Sequence, residues 1–373
     1  MSSTVRGVSE VRIVIGAGGT AGHVVPALAV ADALRAEGAE VIFIGGVAAR
    51  EAGPPPERRL VAGAGYELRT LRVLPLPRGR PLEASRIALT DGLAAVAAWR
   101  LLGELRPDTV VGGGGFVAGP VGLAALLRRL PLVLTEADSH LGLTNRLLAP
   151  FARRVCLAFP IPGRDGPRYR VTGRPVPTPA VDRDSARERF GIGPTETCVL
   201  VFGGSQGARS INHAAIEAFA GAQFRVLHAA GERDLATLTA PGPHYDLRGY
   251  IPDFAEALAA SDLVVARAGG SIFEIAAHGK PAVLIPYPYA TADHQAENAA
   301  FMARAGAAVV IADHELSGPR LAQEVGRLLA DPSLLRSMAR ASAELARPDA
   351  AREIAREVLA APRARGAHAS RAG

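Results

Sequence analysis

Short apolar runs alternate with longer amphipathic segments along most of the chain. The runs Val11–Ile15, Val41–Gly45, Thr109–Gly112 and Pro131–Thr135 predict strands, and intervening segments such as Ile87–Leu105 predict helices. Continuous β-branched runs are typical of strands buried on both faces, as in a parallel sheet covered by helices. The first half of the chain therefore predicts an α/β fold.

The same order of elements returns after the proline-rich stretch from Arg174 to Ala180. Strands are predicted at Cys198–Phe202, Arg225–Ala229 and Leu263–Ala266. Each half opens with a strand, a Gly-Gly loop and a helix, which predicts two Rossmann-like domains facing a central cleft. We expect an N-terminal domain at 1–173, a linker at 174–183, a C-terminal domain at 184–345, and a terminal helix with a basic disordered tail at 346–373.

Composition narrows the classes of function. The 373 residues carry a net charge of +6, yet the chain has no continuous Lys/Arg block and only 5% aromatic residues, which argues against nucleic-acid binding. Cys156 and Cys198 lack C-x-x-C spacing and are expected to be buried free thiols. We expect no signal peptide, no membrane-spanning helix and no metal site, since the nine histidines are scattered.

The first glycine loop, Gly16 to Ala21, fits the loose dinucleotide pattern G-x-G-x-x-A. A nicotinamide site would also need an acidic residue after the second strand, where this chain has Gly45 and Gly46. With Pro26 expected in the first helical turn, His23 lies near the helix N-terminus, whose dipole keeps the imidazole neutral. His23 is then either a proton acceptor or a residue that merely caps or packs.

Three further glycine-rich loops follow predicted strands, at 110–120, 201–210 and 264–288. The first suits either close approach of a ligand or tight helix packing. The second places Ser205 beside open backbone amides, which favours a diphosphate site. In the third, Ser271 and Glu274 form either a capping box or a site where the Glu274 carboxylate binds ribose hydroxyls.

Taken in order, several stretches resemble one family. The sequences GAGGTAGHVVPALAVADAL, GGGGFVAGPVGLAA, EADSHLGLTNRLLA, VTGRPVP, VFGGSQGARSIN, YIPDFAEALAASDLVVARAGG and DHQAENA are similar to motifs of the MurG-type peptidoglycan glycosyltransferases. The resemblance covers about Val11 to Ile311. It implies a GT-B fold, no cofactor, no required metal, and inverting transfer of N-acetylglucosamine from its UDP donor to undecaprenyl-diphosphate-linked N-acetylmuramyl-pentapeptide.

The resemblance also implies site residues. In the second domain the UDP-sugar would contact Ser205 and Gln206 at the diphosphate, the Ile251 backbone at the uracil, Glu274 at the ribose, Gln295 at the sugar, and Gly269, Gly270 and Ser271 beside them. In the first domain Thr20, Ala21, Gly22 and His23 would meet the reacting sugar and the acceptor diphosphate, with His23 as the first candidate base.

The chain departs from the family pattern at two acceptor-side motifs. EQN is replaced by Glu136-Ala137-Asp138, so a carboxylate stands where an amide is usual, and Asp138 becomes an alternative base or an acceptor contact. TGNPVR is replaced by Thr172 to Pro177, which removes the final arginine and places Arg174 inside the motif. We expect Arg174 to be a further substrate contact.

The lipid acceptor implies attachment to a membrane. Leu71 to Leu82 mixes apolar residues and arginines, and Trp99 with Arg100 follows, so we expect a peripheral protein on the anionic cytoplasmic face of the cell membrane. An ordinary solvated loop is the alternative. For function, the alternatives are another acceptor, an isomerase of the UDP-N-acetylglucosamine 2-epimerase type, or a non-catalytic nucleotide-sugar binder.

Overall fold

A computed structural model describes residues 11–19, 21–47, 56–73, 81–176, 182–204, 206–290 and 293–361. The chain divides into two compact units. The first comprises Met1–Pro177 together with Arg347–Gly373, and the second comprises Thr178–Ala346.

The first unit contains a seven-stranded parallel sheet in the order β3-β2-β1-β4-β5-β6-β7. Its strands are β1 Arg12–Gly16, β2 Glu40–Val47, β3 Glu67–Arg72, β4 Thr109–Gly112, β5 Leu132–Glu136, β6 Arg154–Leu157 and β7 Tyr169–Val171. Its helices up to β7 are α1 Ala21–Ala36, α2 Pro56–Gly63, α3 Pro81–Leu105, α4 Ala118–Leu127 and α5 Leu143–Leu148, followed by a 3-10 turn at Ala149–Phe151. The central strands β1 and β4 are almost wholly buried, as their apolar runs predict.

The second unit contains a six-stranded parallel sheet in the order β10-β9-β8-β11-β12-β13. Its strands are β8 Cys198–Phe202, β9 Arg225–Ala229, β10 Tyr245–Arg248, β11 Leu263–Ala266, β12 Ala282–Leu284 and β13 Ala308–Val310. Its helices are α6 Arg183–Arg189, α7 Arg209–Ala218, α8 Glu232–Leu235, α9 Phe254–Ala260, α10 Ile272–Ala277, α11 His294–Arg304, α12 Gly318–Leu329 and α13 Pro332–Leu345. The apolar stripe of α12 packs into the core of this unit.

The last helix, α14 Ala350–Leu359, belongs to the first unit although it follows the second in the sequence. Its residues Ile354, Ala355 and Val358 are buried in the core that α1 covers. At the edge of the sheet, Arg154 Nε donates to Glu357 Oε2 at 2.6 Å. The expected tail after α14 lies outside the described residues.

The predicted α/β class with two Rossmann-like domains is confirmed, and the central strands agree closely with their predicted bounds. In the first unit, the sequence did not predict β3, β6 and β7, and α3 begins at Pro81 rather than Ile87. Helix α1 begins at Ala21 rather than Val25. Pro26 therefore lies inside the helix, and His23 itself lies in the first turn. Within the described parts of the chain, no helix combines the length and hydropathy needed to cross a bilayer.

Candidate functional site

Loops from several strands meet at the carboxyl edge of the first sheet, the edge where ligands bind in open α/β folds. They enclose a cavity of about 200 Å³. Its lining includes residues from α1, from the loop after β4, from the loop after β5 and from the segment after β7, among them His23, Gly114, Asp138 and Arg174. The structure thus brings the two predicted candidate bases and Arg174 into one cavity.

The position of His23 is fixed by the local geometry of α1. Proline has no N–H, so Pro26 cannot donate to the carbonyl of Gly22 four residues earlier. Arg174 Nη2 donates to that oxygen instead, at 2.5 Å. The first turn of α1, with His23 on it, is therefore tied to the segment after β7.

The surroundings of His23 favour its neutral form. Burial lowers the pKa of the imidazole, the positive charge of Arg174 lowers this pKa further, and the negative charge of Asp138 opposes both. A neutral ring is the form that can accept a proton. Burial and Arg174 were not among the causes that the sequence indicated.

The glycines after β4 pack against this region. Gly114 has φ +95°, and a Cβ there would lie 2.6 Å from His23 Cδ2. Gly115 has φ +74°, and a Cβ there would overlap the carbonyl oxygen of Gly18. Of the two explanations that the sequence left open for this loop, the structure supports close packing against His23 and the first glycine loop.

A buried carboxylate holds the loop after β5. Glu136 accepts hydrogen bonds from Asp138 N at 3.1 Å, Gly142 N at 2.9 Å and Asn145 Nδ2 at 2.9 Å. Burial raises the pKa of Glu136, the charge of Asp138 adds to this rise, and the three hydrogen bonds oppose it. Glu136 therefore sets the path of the loop that carries Asp138, a role the sequence did not indicate.

In the second unit, the segments that follow β9 and β10 are hydrogen-bonded to each other and to α7. Ala230 N donates to Arg248 O and Gly231 N to Gly249 O, both at 2.9 Å. Asn212 of α7 joins them, since its Nδ2 donates to Ala230 O at 2.9 Å. Nε2 of the buried His228 lies 3.1 Å from Asn212 Oδ1. Burial lowers the pKa of His228 to about 4.

Arg267, just after β11, connects α7 with the segments that follow β12 and β13. Its guanidinium donates to Asp313 Oδ1 at 2.6 Å, to Ser210 Oγ at 2.9 Å and to the carbonyl of Ile285 at 3.2 Å. The ends of β11 and β12, the segment after β13 and α7 are thereby held by one side chain. The sequence did not single out Arg267.

Several residues predicted to contact the UDP-sugar lie along this edge of the second sheet. Gln295 Nε2 is 3.9 Å from the position that a Cβ of Gly269 would take, and Tyr287 N donates to Gln295 Oε1 at 2.9 Å. Ile251 is buried just after β10. The Ser271 side chain makes no capping hydrogen bond, so the serine half of the capping box is not formed.

The remaining predicted residues have different outcomes. Thr20, Ser205 and the side chain of Ala21 lie outside the described residues, as does most of the segment Leu71 to Leu82. Gly22 and Gln206 are exposed, while Gly270 and Glu274 are partly buried at the start of α10. The structure buries Leu71 and places it in the core, contrary to its expected exposure on a membrane-facing loop.

An apolar surface lies instead on consecutive helices of the first unit. Helices α3, α4 and α5 and the 3-10 turn after α5 pack one against the next. Large side chains exposed on them are Leu93, Val96, Trp99, Leu123, Leu127, Leu143, Leu147 and Phe151. We call this set the apolar surface. Arg128 stacks over Trp99 at 4.0 Å, and Arg129, Arg153 and Arg168 line a groove with Phe151.

Cys156 and Cys198 are buried free thiols, as predicted. Burial raises the pKa of each to about 12. In the described ranges, no three His, Cys, Asp or Glu side chains are grouped so that they could hold a metal ion.

Comparisons with known proteins agree on one family. The glycosyltransferase family 28 N-terminal domain matches residues 13–157, and the family 28 C-terminal domain matches residues 198–354. The UDP-N-acetylglucosamine–N-acetylmuramyl-(pentapeptide) pyrophosphoryl-undecaprenol N-acetylglucosamine transferase of Moorella thermoacetica is 41% identical over 370 residues, covering 93% of this chain and 98% of that protein. The protein of the same name from Alkalilimnicola ehrlichii is 42% identical over 362 residues, with the same coverage.

Solved structures add the fold. The crystal structure of Acinetobacter baumannii MurG is 28% identical and matches with a TM-score of 0.72, covering 94% of this chain and 99% of that one. A UDP-N-acetylglucosamine 2-epimerase from Listeria monocytogenes, 15% identical with a TM-score of 0.66 over 93% of this chain and 95% of that one, shares the fold alone. The chain belongs to glycosyltransferase family 28 and, within it, to the MurG family of N-acetylglucosamine transferases.

Proposed function

We propose that this protein transfers N-acetylglucosamine from UDP-N-acetylglucosamine to the 4-hydroxyl of undecaprenyl-diphosphate-linked N-acetylmuramyl-pentapeptide. The observation that carries the proposal is the shared cavity of His23, Asp138 and Arg174 in a chain about 40% identical, over nearly its whole length, to transferases of that name.

In the proposed reaction the acceptor hydroxyl attacks the anomeric carbon of the donor sugar. The bond from that carbon to the diphosphate oxygen breaks, UDP leaves with the electron pair, and the anomeric configuration inverts. His23 accepts the hydroxyl proton, for which its lowered pKa supplies the neutral ring. Asp138 is the alternative base, since it lines the same cavity.

The donor is assigned to the second unit, at the edge where Arg267 and Asn212 lock the loops together. There Gln295 would contact the sugar, Glu274 the ribose and the Ile251 backbone the uracil. Backbone amides of the loop around Gln206, with Ser205 beside it, would stabilise the charge that develops on the leaving diphosphate. Gly269, Gly270 and Ser271 would line the same pocket.

A transfer assay tests the proposal. Purified protein, given labelled UDP-N-acetylglucosamine and the lipid-linked muramyl-pentapeptide, is expected to form a lipid-linked disaccharide whether or not EDTA is present. Thin-layer separation of the lipid product gives the measurement. Donor turnover without that product, and in particular appearance of the 2-epimer of the donor, would contradict the proposal and favour the isomerase alternative.

We further propose that the apolar surface attaches the protein to the cytoplasmic face of the cell membrane. Leu143 lines the cavity of His23, and Leu147 and Phe151 follow it at intervals of four residues along α5 and the next turn. Apolar side chains flanked by arginines suit insertion at the boundary of an anionic bilayer. A lipid-linked acceptor could then reach the cavity without leaving the membrane.

Replacing Leu127, Leu147 and Phe151 together with serine is expected to weaken binding to phosphatidylglycerol vesicles about 100-fold, because three large side chains no longer enter the bilayer. These side chains are 65%, 64% and 70% exposed, so the folded core is left intact. Vesicle co-sedimentation measures the effect. A matched control replaces exposed Val171, Tyr289 and Val310 with serine and retains binding. Equal binding of both triple variants would refute the assignment.

A further inference from the structure

The guanidinium of Arg174 fills a position that Pro26 leaves without a donor. In α1 the carbonyl of Gly22 would normally accept from the N–H of residue 26, which proline does not have. Arg174 Nη2 lies 2.5 Å from this oxygen. Because Gly22 directly precedes His23, the bond restrains the turn that carries the imidazole.

The charged groups of the cavity act on His23 in opposite directions. The ionisable side chains that line the cavity with it are Glu136, Asp138, Cys156 and Arg174. Cys156 is neutral, since burial raises the pKa of its thiol to about 12, and the Glu136 carboxylate is engaged by three donors. Arg174 disfavours the imidazolium and Asp138 favours it.

We infer that Arg174 and Asp138 are positioning residues for His23: Arg174 completes the first turn of α1, and the two opposite charges together set how strongly the imidazole holds a proton. The inference rests on the proposed role of His23 as the base. Asp138 alone would hold a proton on the ring, and Arg174 alone would make the ring a poor acceptor. Both residues stand at positions where this chain departs from the family motifs EQN and TGNPVR.

The test titrates the His23 ring by NMR in the substrate-free protein, with His23→Ala to assign the signal. Arg174→Ala removes a positive charge and is expected to move the titration to higher pH. Asp138→Asn removes a negative charge and is expected to move it to lower pH. The double variant is expected to lie between the two, and Arg174→Lys, which keeps the charge, to titrate near the wild type.

Turnover supplies the second readout. The acid limb of the kcat profile is expected to shift in the same direction as each titration, because only the neutral ring accepts the proton. Arg174→Ala also lowers the plateau of kcat about 10-fold, since the turn carrying His23 loses its restraint. Arg174→Lys is expected to recover part of that loss.

Arg352→Ala and Asp349→Asn, from an exposed ion pair of the same unit, serve as controls and leave both readouts unchanged. Titration of His23 at one pH in Arg174→Ala, Asp138→Asn and the wild type would overturn the inference, as would shifts of equal sign. If the transfer assay fails while the opposite NMR shifts are found, the proposed function falls and the charge pair stands.

Discussion

Replacing His23 with alanine lowers kcat about 10²- to 10⁴-fold and leaves the affinity for UDP unchanged. The alanine removes the proposed proton acceptor from the cavity of the first unit, whereas the proposed UDP contacts all lie in the second. Steady-state assays of transfer and calorimetric titration with UDP measure the two effects. In the wild type, kcat is expected to hold its plateau at pH 7 and to fall only below the ordinary pKa of histidine, because burial and Arg174 lower the pKa of His23.

His314→Ala is the matched control, since its side chain is 83% exposed and lies outside the cavity. It should turn over like the wild type. Wild-type turnover in His23→Ala would contradict the assignment and would move the role of base to Asp138, which Asp138→Asn then examines.

Replacing Glu136 with alanine is expected to lower the free energy of unfolding of the first unit by about 3 kcal/mol, because three hydrogen-bond donors lose their acceptor. Those donors are Asp138 N, Gly142 N and Asn145 Nδ2. The chain has one tryptophan, and Trp99 lies on α3 of this unit, so its fluorescence in urea follows the relevant transition. We expect kcat to fall as well, because the loop carrying Asp138 lines the cavity.

Glu136→Gln is the conservative comparison and should cost only about 1 kcal/mol, since one acceptor oxygen remains. The pH dependence has a definite sign. The pKa of Glu136 is raised in the folded state, so its contribution to stability is largest in acid and declines as the pH rises through the ordinary glutamate range. Glu136→Gln should lose this slope. A slope equal to that of the wild type, or a fully stable Glu136→Ala variant, would show that the carboxylate does not hold the loop.

The central strands could be predicted because their signal is local. Thr109–Gly112 is buried on both faces of the sheet. Burial on both faces favours a continuous apolar run, which can be recognised without knowing what packs against the strand. The edge strand β3, ELRTLR, lies at the rim of the sheet and keeps polar residues on both faces, so no apolar run marks it. The three-residue strand β7 at the opposite edge is also partly exposed and was missed for a similar reason. Strand β6 is an inner strand with three buried apolar residues, and it was missed although its sequence carries that short apolar run.

The same contrast holds at the candidate site. His23 and the glycine loops stand out locally, because a cluster of glycines directly after a strand allows close approach of a ligand or of another chain segment. The role of Arg174 depends on a bond to Gly22, 152 residues away, and Arg267 reaches Ser210 and Asp313 across 57 and 46 residues. Such contacts leave no periodic pattern in the sequence. They become visible only when the fold brings distant segments together.

The return of α14 to the first unit has a consequence for synthesis on the ribosome. Ile354 and Val358 belong to the core packed against α1, so that core is incomplete when residues 1–176 have emerged. All of Thr178–Ala346 must be translated first, which at about 5–20 residues per second takes on the order of 10–30 s. The unit that is made second can therefore finish folding first. Until α14 is synthesised, the first unit cannot complete its core, and the face of α1 that packs against α14 stays uncovered.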